Sequence, residues 1–302
     1  MLSRIVLAGL TATVVAVTPS LGATAECGLE RAFTHTTKHH GERNIYGGAG
    51  ALFFTAPMAV NTDGAPTSYH PEDPWGSRDK AINTICNGAN ARLPDGRKLN
   101  YAQCRELVAA FREAKAAGWE APGKPKMEFY GVAAHGATPC LIQSGPYAGY
   151  FVSTTSLAAD ETKGRCDQER YLNSLEIPFS IYPGARAFTN LGVGKGDVVV
   201  YYNPANDAIE YGIVGDRGPG WGLAEGSVAF AKTLLKLTED PQSRRDTYRF
   251  GVEKVHALIL PNETLSAPFT RENVRSRAKA RFEAWGGLDR FKKCVATIGA
   301  RP

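Results

Sequence analysis

The chain has 302 residues, of which 43% are apolar and 22% charged. That mixture can build a core, and it excludes wholesale disorder, a coiled coil and a collagen-like chain. Lys and Arg number 35 against 30 Asp and Glu, a formal +5, which is too mild and too scattered for a nucleic-acid binder with its cations on one stripe.

The first 25 residues read as a signal peptide. Arg4 supplies the positive start, Ile5 to Val17 is apolar, Pro19 breaks the run, and Ala23-Thr24-Ala25 offers the small residues a signal peptidase accepts. About 13 apolar residues are too few to span a hydrocarbon core of roughly 30 Å. No stable membrane anchor is therefore expected, and the protein should be exported, secreted or periplasmic, after cleavage near Ala25. Six cysteines follow: Cys27, Cys86, Cys104, Cys140, Cys166 and Cys294. An even count in an exported chain reads as three disulfides, and no CxxC pair suggests zinc or a thioredoxin-like site. Fifteen connectivities are open. The simplest guess pairs Cys86 with Cys104 and Cys140 with Cys166, and staples the termini through Cys27 and Cys294.

Residues 41–80 are rich in Gly, Pro, Asp and Asn and should be mostly loop around one short strand, Ala51 to Thr55. Tyr101 to Ala117 is a predicted helix: Asn100 can cap it, Leu107, Ala110, Phe111 and Ala114 recur on one face, and Gly118 can end it. From Met127 to Pro261 the pattern changes to short β-type runs. The candidates are Met127–Ala133, Gly149–Thr154, Ile177–Tyr182, Asp197–Tyr202, Ala208–Val214 and Val252–Leu260. Asn203-Pro204-Ala205-Asn206 should turn one into the next as a hairpin. A helix carrying Val228, Ala231, Leu234 and Leu235 interrupts the series, and another follows Thr270 with Val274 and Phe282, ending at Gly286-Gly287. The dense basic run Arg275, Arg277, Lys279 and Arg281 falls on this helix and reads as a solvated face. The fold expected is α+β: a compact, mainly antiparallel six-stranded β-barrel with peripheral helices, stapled by disulfides. It forms one domain, 26–302, with a motif-bearing core at about 50–260 and a C-terminal helical segment at 261–302.

Several chemistries are absent: there is no GxSxG elbow, HExxH, P-loop or EF-hand loop. Gly192 to Gly196 lacks the GxGxxG spacing and reads as a tight turn. His39-His40 has no partner at a helical interval, and His135 and His256 stand alone on strands. No metal and no cofactor are expected. The strongest feature runs from Tyr211 to Ser227. An apolar strand delivers Asp216, a glycine-rich loop with Trp221 follows, and Glu225 comes nine positions after Asp216 at the entry of a predicted helix. Glycosidic hydrolysis needs two carboxyl groups, one to protonate the departing oxygen and one to activate water or attack the anomeric carbon. A separation of about 5 Å fits retention and roughly 6.5–9.5 Å fits inversion; a bent loop could give either. The plainer alternative is that Asp216 completes a turn and Glu225 favours a helix N-terminus.

Val214-Gly215-Asp216-Arg217-Gly218-Pro219, followed by Glu225-Gly226-Ser227, resembles the signature of glycoside hydrolase family 75, the fungal-type chitosanases and their bacterial relatives. Upstream, Pro57 to Pro66 with Asp63-Gly64, then Tyr69-His70-Pro71, Cys140 to Leu157 and Ile177 to Gly184 are similar to further family segments in the same order. Together they cover roughly residues 50–240. The resemblance implies endo-hydrolysis of β-1,4-linked glucosamine chains with inversion, Asp216 and Glu225 as the essential pair, and a double-psi type of barrel. Asn61 stands where relatives carry an acidic residue, the loop between the carboxylates is shorter than in the fungal enzymes, and Ala224 replaces a glycine.

Within the pair, a helix N-terminus at Glu225 would favour its ionisation and make it the base, leaving Asp216 as the acid. Arg217, if turned toward Asp216, would swap the roles, and it is a further candidate substrate contact. Asp63 is a candidate ligand for a substrate amino or hydroxyl group. Tyr69, Trp75, Tyr150, Tyr171 and Trp221 are candidate stacking surfaces, with Trp221 favoured for the cleft. The partner is a polysaccharide, and a monomer is expected. Peptidoglycan cleavage and a non-catalytic carbohydrate-binding or envelope protein on the same fold are the alternatives. A polycationic substrate sets one condition, because like charges repel: the cleft must be locally acidic, with Asp216 and Glu225 clustered, Asp63 and Asp160 as candidate further members, and the lysines and arginines elsewhere.

Overall fold

A computed structural model describes residues 27–299; the signal-peptide expectation lies outside them. In chain order the strands are β1 (Glu30–Thr37), β2 (Gly41–Gly48), β3 (Ala51–Asn61), β4 (Ala89–Arg92), β5 (Lys98–Leu99), β6 (Lys126–Phe129), β7 (Ala134–His135), β8 (Thr138–Pro139), β9 (Phe179–Pro183), β10 (Asp197–Asn203), β11 (Ala208–Gly218), β12 (Glu225–Ser227) and β13 (Val252–Thr264). The α-helices are α1 (Cys104–Ala116), α2 (Arg186–Asn190), α3 (Val228–Leu235), α4 (Arg244–Thr247), α5 (Arg271–Trp285) and α6 (Gly287–Ile298).

Six strands close a barrel in the order β3-β12-β9-β11-β10-β13, with β13 returning to β3. Four of its six pairings are antiparallel, while β9–β11 and β3–β12 are parallel, so the six-stranded barrel is mainly antiparallel as expected but mixed. The parallel pairs arise because β12 does not fold back on β11. It inserts instead between β9 and β3, and this insertion completes the ring. β10 is buried along its whole length, and its Val-Val-Val-Tyr-Tyr run suits a strand covered on both faces. Alternate residues divide between two clusters: Val199 and Tyr201 pack with Phe54, Ala257 and Phe230 of α3, while Val198, Val200 and Tyr202 pack with Leu258 and with Phe282 and Phe291 of α5 and α6.

Four of the six predicted strands lie in the barrel. Met127–Ala133 does not: its first part forms β6 in a separate sheet ordered β5-β4-β6. Gly149–Thr154 contributes only isolated bridges, Leu141 to Phe151 and Val132 to Ser153. Their barrel places are taken by β3, which runs six residues beyond the expected Thr55, and by β12, only three residues long. The β1–β2 hairpin falls in a stretch too polar and glycine-rich to show alternation, and it extends the barrel through β2–β3. The C-terminal segment is not wholly helical, because β13 continues to Thr264.

Asn100 does cap the helical stretch after it, accepting from Ala102 N at 2.9 Å with Gln103 returning the bond, and Thr270 caps α5. The Asn203–Asn206 turn joins β10 to β11 as an antiparallel pair. The disulfides are Cys27–Cys294, Cys86–Cys104 and Cys140–Cys166. Among the described residues no helix is long and apolar enough to cross a membrane.

Candidate active site

The central strand of the site is β9. Its Ile181 pairs with Asp216 of β11 on one side and with Glu225 of β12 on the other. Residues opposite one another on neighbouring strands point to the same face, so the two carboxylates rise together across Ile181. Two interstrand spacings put their Cα atoms about 10 Å apart. The register between β9 and β11 slips between Val214 and Asp216, leaving Gly215 as the extra residue. Such a bulge re-aims the next side chain. Gly215 is also sterically required, since a Cβ there would lie 2.6 Å from the Phe179 ring.

Each carboxylate is half-buried and held by donors. Asp216 Oδ1 accepts from the backbone N–H of Arg217 at 2.8 Å and of Ser156 at 3.0 Å. Lys195, whose Nζ is fixed by Ser156 O at 2.8 Å, lends a further favourable charge. Burial nevertheless raises the Asp216 pKa, with these groups opposing it. Glu225 Oε1 accepts from Asn61 Nδ2 at 2.8 Å. Burial pushes Glu225 up to about 7, against the Asn61 bond and with help from the Asp216 charge. Gly218 borders this group: a Cβ there would meet Ile181 Cγ2 at 2.9 Å and Glu225 Oε2 at 3.8 Å.

Glu225 is not at a helix N-terminus, which corrects the sequence reading. It belongs to β12, and Ser227 is the cap of α3, its Oγ accepting from Phe230 N at 3.2 Å. The field of a helix end fades within a turn, so burial rather than a dipole sets the state of Glu225. Arg217 points away from Asp216: neighbouring strand residues face opposite ways, and its guanidinium donates to Gly184 O at 3.2 Å.

Asp63, a candidate from the sequence, lies close enough to the pair for their charges to interact. Its own charge state is coupled to both Asp216 and Glu225, and burial raises its pKa well above the usual carboxylate range. Its backbone N–H donates to Asn61 Oδ1 at 2.7 Å, so Asn61 bridges Asp63 to Glu225. Tyr69 corrects its expected role. It is 1% exposed in the core that backs α1 and cannot stack on a ligand. Instead its hydroxyl donates to Asp63 Oδ1 at 2.5 Å and accepts from Asn83 Nδ2 at 3.1 Å, which fixes the carboxylate.

Trp221 is 46% exposed, but the β1–β2 hairpin reaches it: Lys38 Nζ lies 5.1 Å from its ring centre and His39 meets it edge-on. His35 Nε2 bonds Gly222 O at 3.0 Å, so the hairpin holds the loop between the two carboxylates. Asp160 sits apart from the site in its own turn, accepting from Thr162. Trp75 and Tyr171 are packed against apolar clusters, and Tyr150 against His70 and Tyr147. Ser156 and Lys195 were missed, because a backbone N–H and a loop lysine carry no motif. His135 lies with Cys140 and Cys166, the donor atoms all within 4.8 Å of one another, but both sulfurs are spent in a disulfide and do not fit a metal.

No known protein family's sequence pattern matches this chain, and no curated protein matches it.

Proposed function

We propose that the protein is an exported polysaccharide hydrolase that cleaves β-1,4-linked glucosamine chains internally, with inversion at the anomeric carbon. The observation that carries this is the placement of Asp216 and Glu225 across Ile181, on one face and with raised pKa values. Cα atoms about 10 Å apart suit the roughly 6.5–9.5 Å between carboxyl groups that leaves room for water. The resemblance to glycoside hydrolase family 75 is the second support.

Glu225 is the general acid, because a carboxyl that titrates at about 7 is still protonated in weak acid. Asp216, with two N–H donors and Lys195 favouring its anion, is the base. In one step Asp216 takes a proton from water, the water oxygen bonds to the anomeric carbon, and the glycosidic C–O bond breaks. The departing oxygen receives the proton of Glu225. These roles reverse those that a helix N-terminus at Glu225 would have given.

Asp63, whose charge interacts with both members of the pair, makes a cluster of three carboxyl groups, with Lys195 acting on Asp216. Such a cluster on a weakly basic chain favours a polycation locally and supports part of the condition that a chitosan-like substrate sets: Asp216, Glu225 and Asp63 come together, while Asp160 stands apart and Lys195 lies beside Asp216. Reducing-end release from chitosan, peptidoglycan and carboxymethylcellulose, measured side by side, tests the substrate. Release from chitosan above the other two is expected. Release from peptidoglycan alone would move the substrate to the cell wall, and pull-down without release from any would make the protein a binder.

A further inference from the structure

Tyr130 follows β6 and was not marked by any sequence pattern. The residue is 55% exposed, yet it is held at both ends. The hydroxyl donates to Cys86 O at 3.3 Å, and the carbonyl accepts from Thr154 Oγ1 at 3.1 Å. Its own N–H and that of Gly131 donate to Gly88 O at 2.9 and 3.0 Å. No other ring packs on it among the described residues. It is therefore a fixed aromatic surface with an open face, whereas Trp221 is already engaged by Lys38 and His39.

What lies beside Tyr130 gives that face a use. The charge of Asp63 is felt at the Tyr130 hydroxyl, and the Tyr69 hydroxyl feels Asp63, Tyr130 and Asp216 together. Gly131, next in the chain, is buried against Gly88 and Tyr69, and a Cβ there would lie 2.9 Å from Gly88 Cα, 3.0 Å from Tyr69 Oη and 3.5 Å from Asp63 Oδ1, which puts the backbone beside Tyr130 close to Asp63. Asp63 Oδ1 is taken by Tyr69, while no hydrogen bond reaches Oδ2 among the described residues, and Asp63 is only partly buried. An apolar ring face near a carboxyl oxygen without a protein partner matches one sugar unit that carries an ammonium group, whose charge would favour the ionised form of Asp63 against the burial that raises its pKa.

We propose that Tyr130 and Asp63 form an amino-sugar subsite beside the catalytic pair, with the sugar ring stacked on Tyr130 and its ammonium bound at Asp63 Oδ2. This subsite rests on the hydrolase reading, which makes such a chain the ligand. Tyr130 binds and positions the chain; it does not touch the reacting bond.

The test is calorimetric titration of hexaglucosamine and hexa-N-acetylglucosamine into the Glu225→Gln protein, which binds without turning over. Adding Tyr130→Ala should weaken hexaglucosamine about tenfold, and Tyr130→Phe, which keeps the ring but loses the bond to Cys86 O, should restore affinity to within about twofold of the parent. Adding Asp63→Asn should cost affinity for hexaglucosamine and little for the acetylated chain. Unchanged affinity in Tyr130→Ala, or a Tyr130→Phe protein as weak as Tyr130→Ala, overturns the stacking role. If the parent binds neither hexamer, the subsite and the amino-sugar reading fall together; if it binds and only the Tyr130 variants are silent, the hydrolase reading survives alone.

Discussion

Glu225, half-buried, and His256, buried, are titratable groups whose effects on stability run in opposite directions. Glu225 has a folded pKa of about 7 against an ordinary 4.5, so the folded state holds its proton more tightly. Stability from this group is complete below about pH 4.5 and is lost as pH rises through 7. The shift corresponds to about 3 kcal/mol. Glu225→Gln should therefore be more stable than the parent by about that amount at pH 8 and nearly equal to it at pH 4, read from urea midpoints. An equal difference at both pH values would contradict the burial account. His256 is 2% exposed, accepts or donates with Thr55 Oγ1 at 2.8 Å, and is lowered to about 4 by burial. The unfolded chain takes up this proton first, so its contribution is full above about pH 6.5 and is lost as pH falls toward 4. Replacing His256 by Gln should flatten the acid side of the stability profile by about 3 kcal/mol.

The same Glu225 pKa predicts a pH–rate profile whose upper limb falls near 7, because the acid must arrive protonated. A rate that keeps rising to pH 9 would remove Glu225 from that role.

At the scale of elements, the stretch from β11 to α3 was legible because glycines and a proline punctuate it and two acids stand at its ends. What sequence could not show is the three-residue β12, too short to carry any period. Without it, Glu225 is assigned to the helix that follows. Asp63 was legible as an Asp-Gly pair, but its tie to Tyr69 depends on the α1 lobe that carries Tyr69 inward. The β1–β2 hairpin was illegible for the reason that makes it an extension: its residues are largely exposed and polar, so neither face alternates cleanly.

The basic run on α5 has a structural use as well as a solvated face. Glu210 of β11 is 0% exposed, and Arg275 Nε bonds its Oε1 at 2.7 Å while Thr233 donates to its other oxygen. Arg277 donates to Ser266 O at 2.6 Å, and Arg281 pairs with Glu263 at 3.3 Å. Removing one partner of a buried charge leaves the other uncompensated. Arg275→Ala should cost about 3 kcal/mol in urea unfolding, whereas Lys279→Ala on the same helix should cost under about 0.5 kcal/mol.

Across the whole molecule, the Cys27–Cys294 bond joins the base of the β1–β2 hairpin to α6, 267 residues away. Arg290 reinforces it by donating twice to Cys27 O. Replacing both cysteines by serine should cost about 2–5 kcal/mol, and the loss should extend to the loop that the hairpin holds at Gly222. The mild +5 of the chain identifies no partner by itself. Charge is distributed, with Arg271, Arg275, Arg277 and Arg281 on α5, Asp216 near the end of β11 and Glu225 on β12.

The central claim is that Asp216 and Glu225 cleave a glucosamine chain as base and acid. Its most direct measurement is hydrolysis of hexaglucosamine by the parent, Asp216→Asn and Glu225→Gln, with the anomer of the first product read by proton NMR. Loss of at least about a thousandfold in rate for each variant, with the inverted α-anomer appearing first from the parent, is the predicted result. Near-parental turnover in both variants would contradict it.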